Sequence, residues 1–282
     1  MTYGALMTHP SRRTVLATGL AATATATAIP RASGADSVNM ELLVLAAQLD
    51  PVKTGTGITA GAKASVLLVE RALAAKALLA ERHVDGHFGT ATKDAYAAWQ
   101  RSLGHSGLAA NGLPGKSSLT ALGKGQFTLT RPVSVGDRTK LQGFPFNSRT
   151  VMMLKAAFTL ADVSPAVEQG SYSAGVDPTS AGTHDGGGAV DLDAEELSGE
   201  EATRLVRAMR QVGFAAWLRT PDQADWPLHI HGIAINDLDL HVTAQNQVGD
   251  YYLGRNGLAN KAPDDGPQVT KGTWEEHLRS TS

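Results

Sequence analysis

No cysteine occurs anywhere in the 282 residues. A chain without thiols cannot be a disulfide-stapled scaffold, so its stability must come from a packed core. The composition allows one, with 42% hydrophobic and 18% charged residues, outside the range of a wholly disordered chain. The same absence excludes a thiol nucleophile and Cys-ligated zinc. Any metal must be held by histidine and carboxylate. The 30 glycines and 5% aromatics predict long loops and a core poor in rings. The length suits one large domain or two small ones.

The N-terminus reads as an address. Ser11-Arg12-Arg13-Thr14-Val15-Leu16 leads into an uncharged run, Val15 to Ile29, rich in Ala and Thr. It is too short and too weakly apolar for a membrane-spanning helix, which needs about 20 residues. Ser33-Gly34-Ala35 places small residues for cleavage after Ala35,. The paired arginines resemble a twin-arginine export signal; the alternative is an ordinary secretory signal. Either implies a secreted or wall-associated protein with no stable membrane insertion after signal removal, and a monomer is expected. Residues 1-35 carry three arginines and no acid, so their removal takes the net charge from -2 to -5. With no basic excess, nucleic acid is not an expected partner. Simple attraction to an anionic cell wall is a poor explanation of surface binding.

Residues 36-60 contain a helical stretch, Met40 to Leu49, then a linker at Thr54-Gly55-Thr56-Gly57,. From 61 to 125 the pattern is helical. Val66, Leu67, Val69, Leu73, Leu78 and Leu79 recur at helix-like intervals,. A turn follows at Asp85-Gly86-His87-Phe88-Gly89. Thr90 is placed to cap a second helix with Ala91, Ala95, Ala98, Trp99 and Leu103 as core candidates. A third helix should start near Lys116, after Asn111-Gly112-Leu113-Pro114-Gly115. The two glycine turns, with Ala98-Trp99-Gln100 between them, resemble the three-helix peptidoglycan-binding domain, whose pattern is D-G-x-F-G-x-x-T, an aromatic-Gln pair, then D-G-x-x-G-x-x-T. Here Asn111 replaces an Asp, Ser118 replaces a Thr, and the stretch from Gln100 to Asn111 is longer. The resemblance implies peptidoglycan as a partner. The plainer alternative is a helical packing domain without a ligand.

Residues 126-140 read as a second linker or an entering edge strand, and 141-258 as α+β. Thr150 to Leu160 and Ser198 to Val212 are predicted helices, the second capped by Ser198 with acids in its first turn and arginines following. Gly188 to Leu192 and Leu228 to Ile235 are predicted strands. Residues 259-282 read as a polar tail.

Nine histidines are present. His9 leaves with the signal, His83, His87 and His105 lie at turns, and His241 and His277 read as surface. His184 opens Thr183-His184-Asp185-Gly186-Gly187-Gly188-Ala189-Val190-Asp191, where three glycines let the chain turn and bring His184 to Asp191. His229-Ile230-His231 has strand character, so both imidazoles share a face. Two such histidines with a His and an Asp from a glycine-rich loop make a set suited to zinc.

His184 to Asp191 fits H-x-x-G-x-A-x-D and resembles the first zinc motif of the M15-type D-alanyl-D-alanine carboxypeptidases. The wider group of cell-wall zinc peptidases ends its site with His-x-His. The resemblance covers about Val167 to Leu240. It implies Zn2+ held by His184, Asp191 and His231, with His229 as general base or transition-state stabiliser, and stem peptides of peptidoglycan as substrate. The Ser usual two residues before the first His is Gly182, and the carboxylate usual three before the last ligand is absent. Asp225 is the nearest carboxylate and a second candidate base. Gln169-Gly170-Ser171-Tyr172 lies where the group often places an Arg for the substrate carboxylate, making Gln169 and Ser171 candidate substrate contacts. The expected fold is two domains, a small all-α three-helix bundle followed by an α+β zinc-peptidase domain with a small antiparallel sheet. Carboxypeptidase and endopeptidase activities both fit. The alternatives are a non-catalytic peptidoglycan-binding protein with a degenerate peptidase-like domain, and an exported zinc buffer, which would usually carry His-rich tracts.

Overall fold

An apolar run with no polar face has to be buried, and Met40 to Leu49 is such a run. In the computed structural model it is helix α1 (Met40–Leu49), with every residue but Leu42 buried. The Asn39 side chain caps it by accepting from the Leu42 N–H,. The structure describes residues 36–53, 57, 59–176 and 180–282. The export signal and most of the linker expected at Thr54 to Gly57 lie outside the described residues. Residues 34–282 form one compact unit. Among the described residues no helix is long and apolar enough to cross a membrane.

The architecture is mixed α+β. Strand β1 (Asp36–Asn39) pairs in parallel with β2 (Phe127–Thr130). Between them lie α2 (Lys63–Ala74), α3 (Thr90–Ser102) and α4 (Lys116–Leu122). The two glycine turns are each clamped by a side chain reaching in from a helix. Glu70 on α2 accepts from the N–H groups of Asp85 and Gly86 and from the Thr92 hydroxyl, at 3.0, 2.8 and 2.9 Å. Gln100 on α3 accepts from the Gly112 N–H and donates to the Leu113 carbonyl. Gly86 and Gly112 both have φ near +85°, a region that glycine enters without steric cost.

Several local expectations are corrected. The N-cap of α3 is Gly89, with no side-chain cap bond, so Thr90 is the first helical residue. Leu103 is exposed at the helix end, and Tyr96 takes its place in the core. Residues 273–282 are not a polar tail: Thr273 and Glu276 form a capping box that starts α8 (Trp274–Thr281). Trp274 is buried in the core, and Glu275 and Arg279 pair with Arg149 and Glu41.

A hairpin of β3 (Arg138–Leu141) and β4 (Phe144–Asn147) leads into α5 (Ser148–Ala161), capped by Asn147. Then come β5 (Val167–Gln169), β6 (Ala189–Asp193), α6 (Gly199–Gln211), β7 (Phe214–Arg219), β8 (His229–Ala234) and α7 (Val242–Tyr252). Strands β5 to β8 form an antiparallel sheet in the order β5-β6-β8-β7. Alternation divides each strand between two cores. Val190, Leu192, Phe214 and Ile230 pack with residues of α5 and α6. Ala189, Ala215, Trp217 and Ile233 share a core with α1, α7 and α2 to α4. The metal-ligating candidates lie on this second face.

Candidate metal centre

Register brings the polar residues together. Asp191 on β6 is paired with Gln169 on β5 and with His231 on β8, and His231 is paired with Trp217 on β7. One step along, His229 is paired with Asp193 and Arg219. Directly opposed residues share a face, so two adjacent rows across the sheet carry all these side chains. His184 joins from the turn before β6 through the run Gly186-Gly187-Gly188. A side chain at Gly186 would collide with the backbone of Asp239 and His241, and one at Gly187 would meet the Tyr172 hydroxyl and Asp239. Glycine here lets the loop after β8 press against the turn and hold His184 over Asp191.

The three candidate ligands converge. His184 Nε2 lies 3.1 Å from Asp191 Oδ2, and His231 Nδ1 lies 2.6 Å from Asp191 Oδ1. Nitrogen and oxygen atoms of these three residues all lie within 4.8 Å of one another. The outward-facing ring atoms fix the tautomers. His184 Nδ1 faces the Gly170 carbonyl at 3.0 Å, so it carries the proton. His231 Nε2 faces Gln247 Oε1 at 2.9 Å, and Gln247 is oriented by donating to the Gly257 carbonyl. That carbonyl-like oxygen only accepts, so His231 Nε2 also carries its proton. The nitrogens left facing Asp191 present lone pairs to a carboxylate. Lone pairs and an anion at such distances repel unless a cation or shared proton lies among them. The group is therefore chemically suited to hold a metal ion.

Burial alone would push the Asp191 carboxyl up, but a positive charge or proton on the His231 and His184 side outweighs it and holds it well below the usual carboxylate range. Burial pushes the His231 imidazole down, against the pull of Asp191. Both directions favour the unprotonated forms that metal ligation needs. His229 is set apart: its Nδ1 faces the Pro227 carbonyl at 2.8 Å, and its Nε2 is 3.9 Å from Asp191 Oδ1. With Nδ1 turned to that carbonyl, Nε2 faces the centre from beside it.

The other candidates are placed differently. Ser171 is fully buried, with its hydroxyl donating to the Ala189 carbonyl, so it is spent on structure. Asp225 is exposed and does not line the cavity over the centre. Gln169 does line it, with its amide donating to Ser173 Oγ. Glu168 lines it too, because an irregularity in β5 turns two consecutive side chains to the cavity,. Burial pushes the Glu168 carboxyl up, while His229 pulls it down. Sequence reasoning missed Glu168, Trp217, Arg219 and Gln247. The Trp217 ring stacks on His231, centroids 6.3 Å apart. The period-two spacing of Trp217 and Arg219 was visible, but only the pairing of β7 with β8 gives it meaning.

The cavity has a volume of about 390 Å³ and is walled on one side by Trp226 and Pro227 and on another by Gly257, Leu258 and Ala259. That is within the range of small-molecule sites. Comparison with family models, curated proteins and solved structures returns no match for the chain.

Proposed function

We propose that this protein is a secreted zinc peptidase that hydrolyses amide bonds in the stem peptides of peptidoglycan. The observation that carries the reading is the convergence of two imidazole lone pairs and a carboxylate in a cavity, with a third imidazole beside them. His184, Asp191 and His231 would hold the ion. Two histidines and one carboxylate match the three-ligand pattern of catalytic zinc. When bound, zinc supplies Lewis-acid polarisation of a carbonyl and activation of water. His229 Nε2 takes the proton from the attacking water and passes it to the leaving amine, and its Nδ1–H bond to Pro227 keeps the ring turned for both transfers,. Trp226 packs edge-on against the His229 ring and limits its rotation. Gln247 and Gly170 fix the ligand tautomers from behind.

In this reading α2, α3 and α4 are the peptidoglycan-binding three-helix module, fused to the peptidase part through a shared core, and residues 1–35 direct export. The test is incubation of the purified protein with insoluble peptidoglycan, with and without a chelator, followed by mass analysis of the soluble products. Released peptides or D-alanine in the untreated sample only are expected. No release under either condition, with zinc bound, overturns the reading.

A further inference from the structure

The loop between β8 and α7 meets the helices as well as the sheet. Its Leu238 and Leu240 carbonyls accept the two hydrogens of the Asn111 side-chain amide, at 2.9 and 3.2 Å,. The carbonyl between them, that of Asp239, accepts from the Gly187 N–H at 2.8 Å. Gly187 belongs to the buried glycine run that follows His184. On the other side of this run the Tyr172 N–H donates to the Gly186 carbonyl at 2.7 Å, and the Ser173 N–H to the His184 carbonyl at 2.9 Å. The Tyr172 hydroxyl donates to Asp239 Oδ2 at 2.7 Å and ties the two sides together. The turn that carries His184 is thus clamped between residues 172–173 and residues 238–240.

We propose that Asn111 is a positioning residue of the metal centre: the second glycine turn of the three-helix part sets the loop that holds His184 over Asp191. The inference rests on the zinc reading above and deepens it, because it makes the helical part a component of the site instead of a detachable anchor. Asn111 is itself held firmly. Its Oδ1 accepts from the Leu113 N–H at 2.9 Å, and Gln100 on α3 grips the Gly112 N–H and the Leu113 carbonyl at 2.9 and 2.8 Å. The loop has two other holds. Gln245 on α7 donates to the Leu240 carbonyl at 2.8 Å, and Asp237 Oδ1 accepts from the Asp239 N–H at 2.8 Å. Neither reaches the Leu238 carbonyl, whose donor among the described residues is Asn111. A displaced loop takes the Asp239 carbonyl away from Gly187 and frees one side of the turn. The packing leaves little room to absorb a shift, since the backbone of Asp239 and His241 lies directly against Gly186. The His184 ring keeps one further hold, from Nδ1 to the Gly170 carbonyl at 3.0 Å, so a loosened turn weakens ligation without abolishing it.

The test is Asn111→Asp in the purified protein. The carboxylate still accepts from the Leu113 N–H and closes the turn, but it sets an anion against two carbonyl oxygens that Asn111 holds by donation. Zinc affinity is measured by competition with a chromophoric chelator, and amide hydrogen exchange by NMR on the zinc-free protein. Zinc should bind about 10-fold more weakly, the lower end of what supporting groups contribute. The Gly187 amide should exchange about 10-fold faster, the effect of about one net hydrogen bond, while the Gly112 and Leu113 amides keep their protection. Trp274→Ala, which loosens the fold from elsewhere, should keep the parent's zinc affinity and so separates positioning from general stability. Unchanged zinc affinity in Asn111→Asp overturns the inference and leaves the zinc reading standing. An equal loss of affinity in Trp274→Ala also overturns it, as an effect of stability alone. A parent protein that binds no zinc overturns the zinc reading, and the Gly187 exchange then decides whether Asn111 controls the turn. If Asn111→Asp fails to fold, Asn111→Ser decides. It keeps an oxygen for the Leu113 N–H and one donor in place of two, and should show both changes to a smaller degree; parental values for both overturn the inference.

Discussion

At the scale of single residues the centre is held by what lies behind the ligands. Gln247 has no direct part in ligation, yet it sets which nitrogen of His231 faces Asp191. Gln247→Leu removes the acceptor and leaves a buried N–H without a partner. Such supporting groups typically contribute about 10–100-fold to metal affinity, so zinc should bind that much more weakly, measured by competition with a chromophoric chelator. Unchanged affinity would show that Trp217 alone orients the ring. The ligands and the base should separate cleanly. His184→Ala, Asp191→Ala and His231→Ala should each lose bound zinc. His229→Ala should keep most of the metal and lose turnover by about 10²–10⁴-fold, the usual contribution of a positioned acid–base group. Metal content and hydrolysis measured on the same preparations give the answer; zinc lost from His229→Ala but kept by His231→Ala would exchange the two roles.

Among elements, the turn after α2 carries a pH dependence of its own. Glu70 is buried, and burial raises its carboxyl from 4.5 to about 7 against the bonds from Gly86, Thr92 and Asp85. In the unfolded chain it titrates near its ordinary value. Between the two values the folded state holds the extra proton. Stability from this group is therefore full below about pH 4.5 and falls as the pH rises to about 7, by about 2 kcal/mol. Gln at this position keeps an oxygen for the two backbone N–H groups and turns its amide to the Thr92 hydroxyl, which also accepts. Glu70→Gln should gain about 2 kcal/mol relative to the parent between pH 4.5 and 8 in urea unfolding. Parallel pH profiles for the two proteins would refute this. The other turn gives Asn111 a role that an Asp could not fill. Asn111 Nδ2 donates to the carbonyls of Leu238 and Leu240, at 2.9 and 3.2 Å, while its Oδ1 holds the Leu113 N–H. An Asp would close the turn but could not donate to either carbonyl. What could be read from the sequence follows this division. Turns, the Ser198 cap and the period of His229 and His231 are local and legible, as is the approach of His184 to Asp191 across its glycines, whereas the expected Thr90 cap fell one residue out. Glu168, Arg219 and Gln247 are not legible, because each meets the centre only through a strand pairing or a helix packed from far along the chain.

For the whole molecule, the helices and the sheet do not have separate interiors. Leu73, Tyr96 and Leu119 belong to one core with Ala215, Trp217, Ile233 and Val248. Helix α1 joins the parts: Gln48 holds the Asn236 N–H and the Asp237 carbonyl, and Asp237 abuts the glycine run beside His184. The helix over residues 40–49 is legible in the sequence, but its packing partners are not, and residues 273–282, which read as polar tail, carry the rest of the joining. Helix α8 closes the arrangement from outside. Its Glu275 pairs with Arg149 on α5, and Arg279 and Thr273 reach Glu41 on α1. Trp274 fills the other core, on the opposite face of the sheet, against residues of α5 and α6. Trp274→Ala should cost about 3 kcal/mol, a lowering of the thermal midpoint by roughly 6–12 °C for a unit of this size. Because the cores are joined, loss of helical circular dichroism and the change in tryptophan fluorescence should still coincide in one transition. Two separated transitions, in the parent or in Trp274→Ala, would mean that the three-helix part unfolds on its own and that the contacts through α1 and α8 contribute little; an unchanged midpoint would mean that α8 is dispensable to the fold.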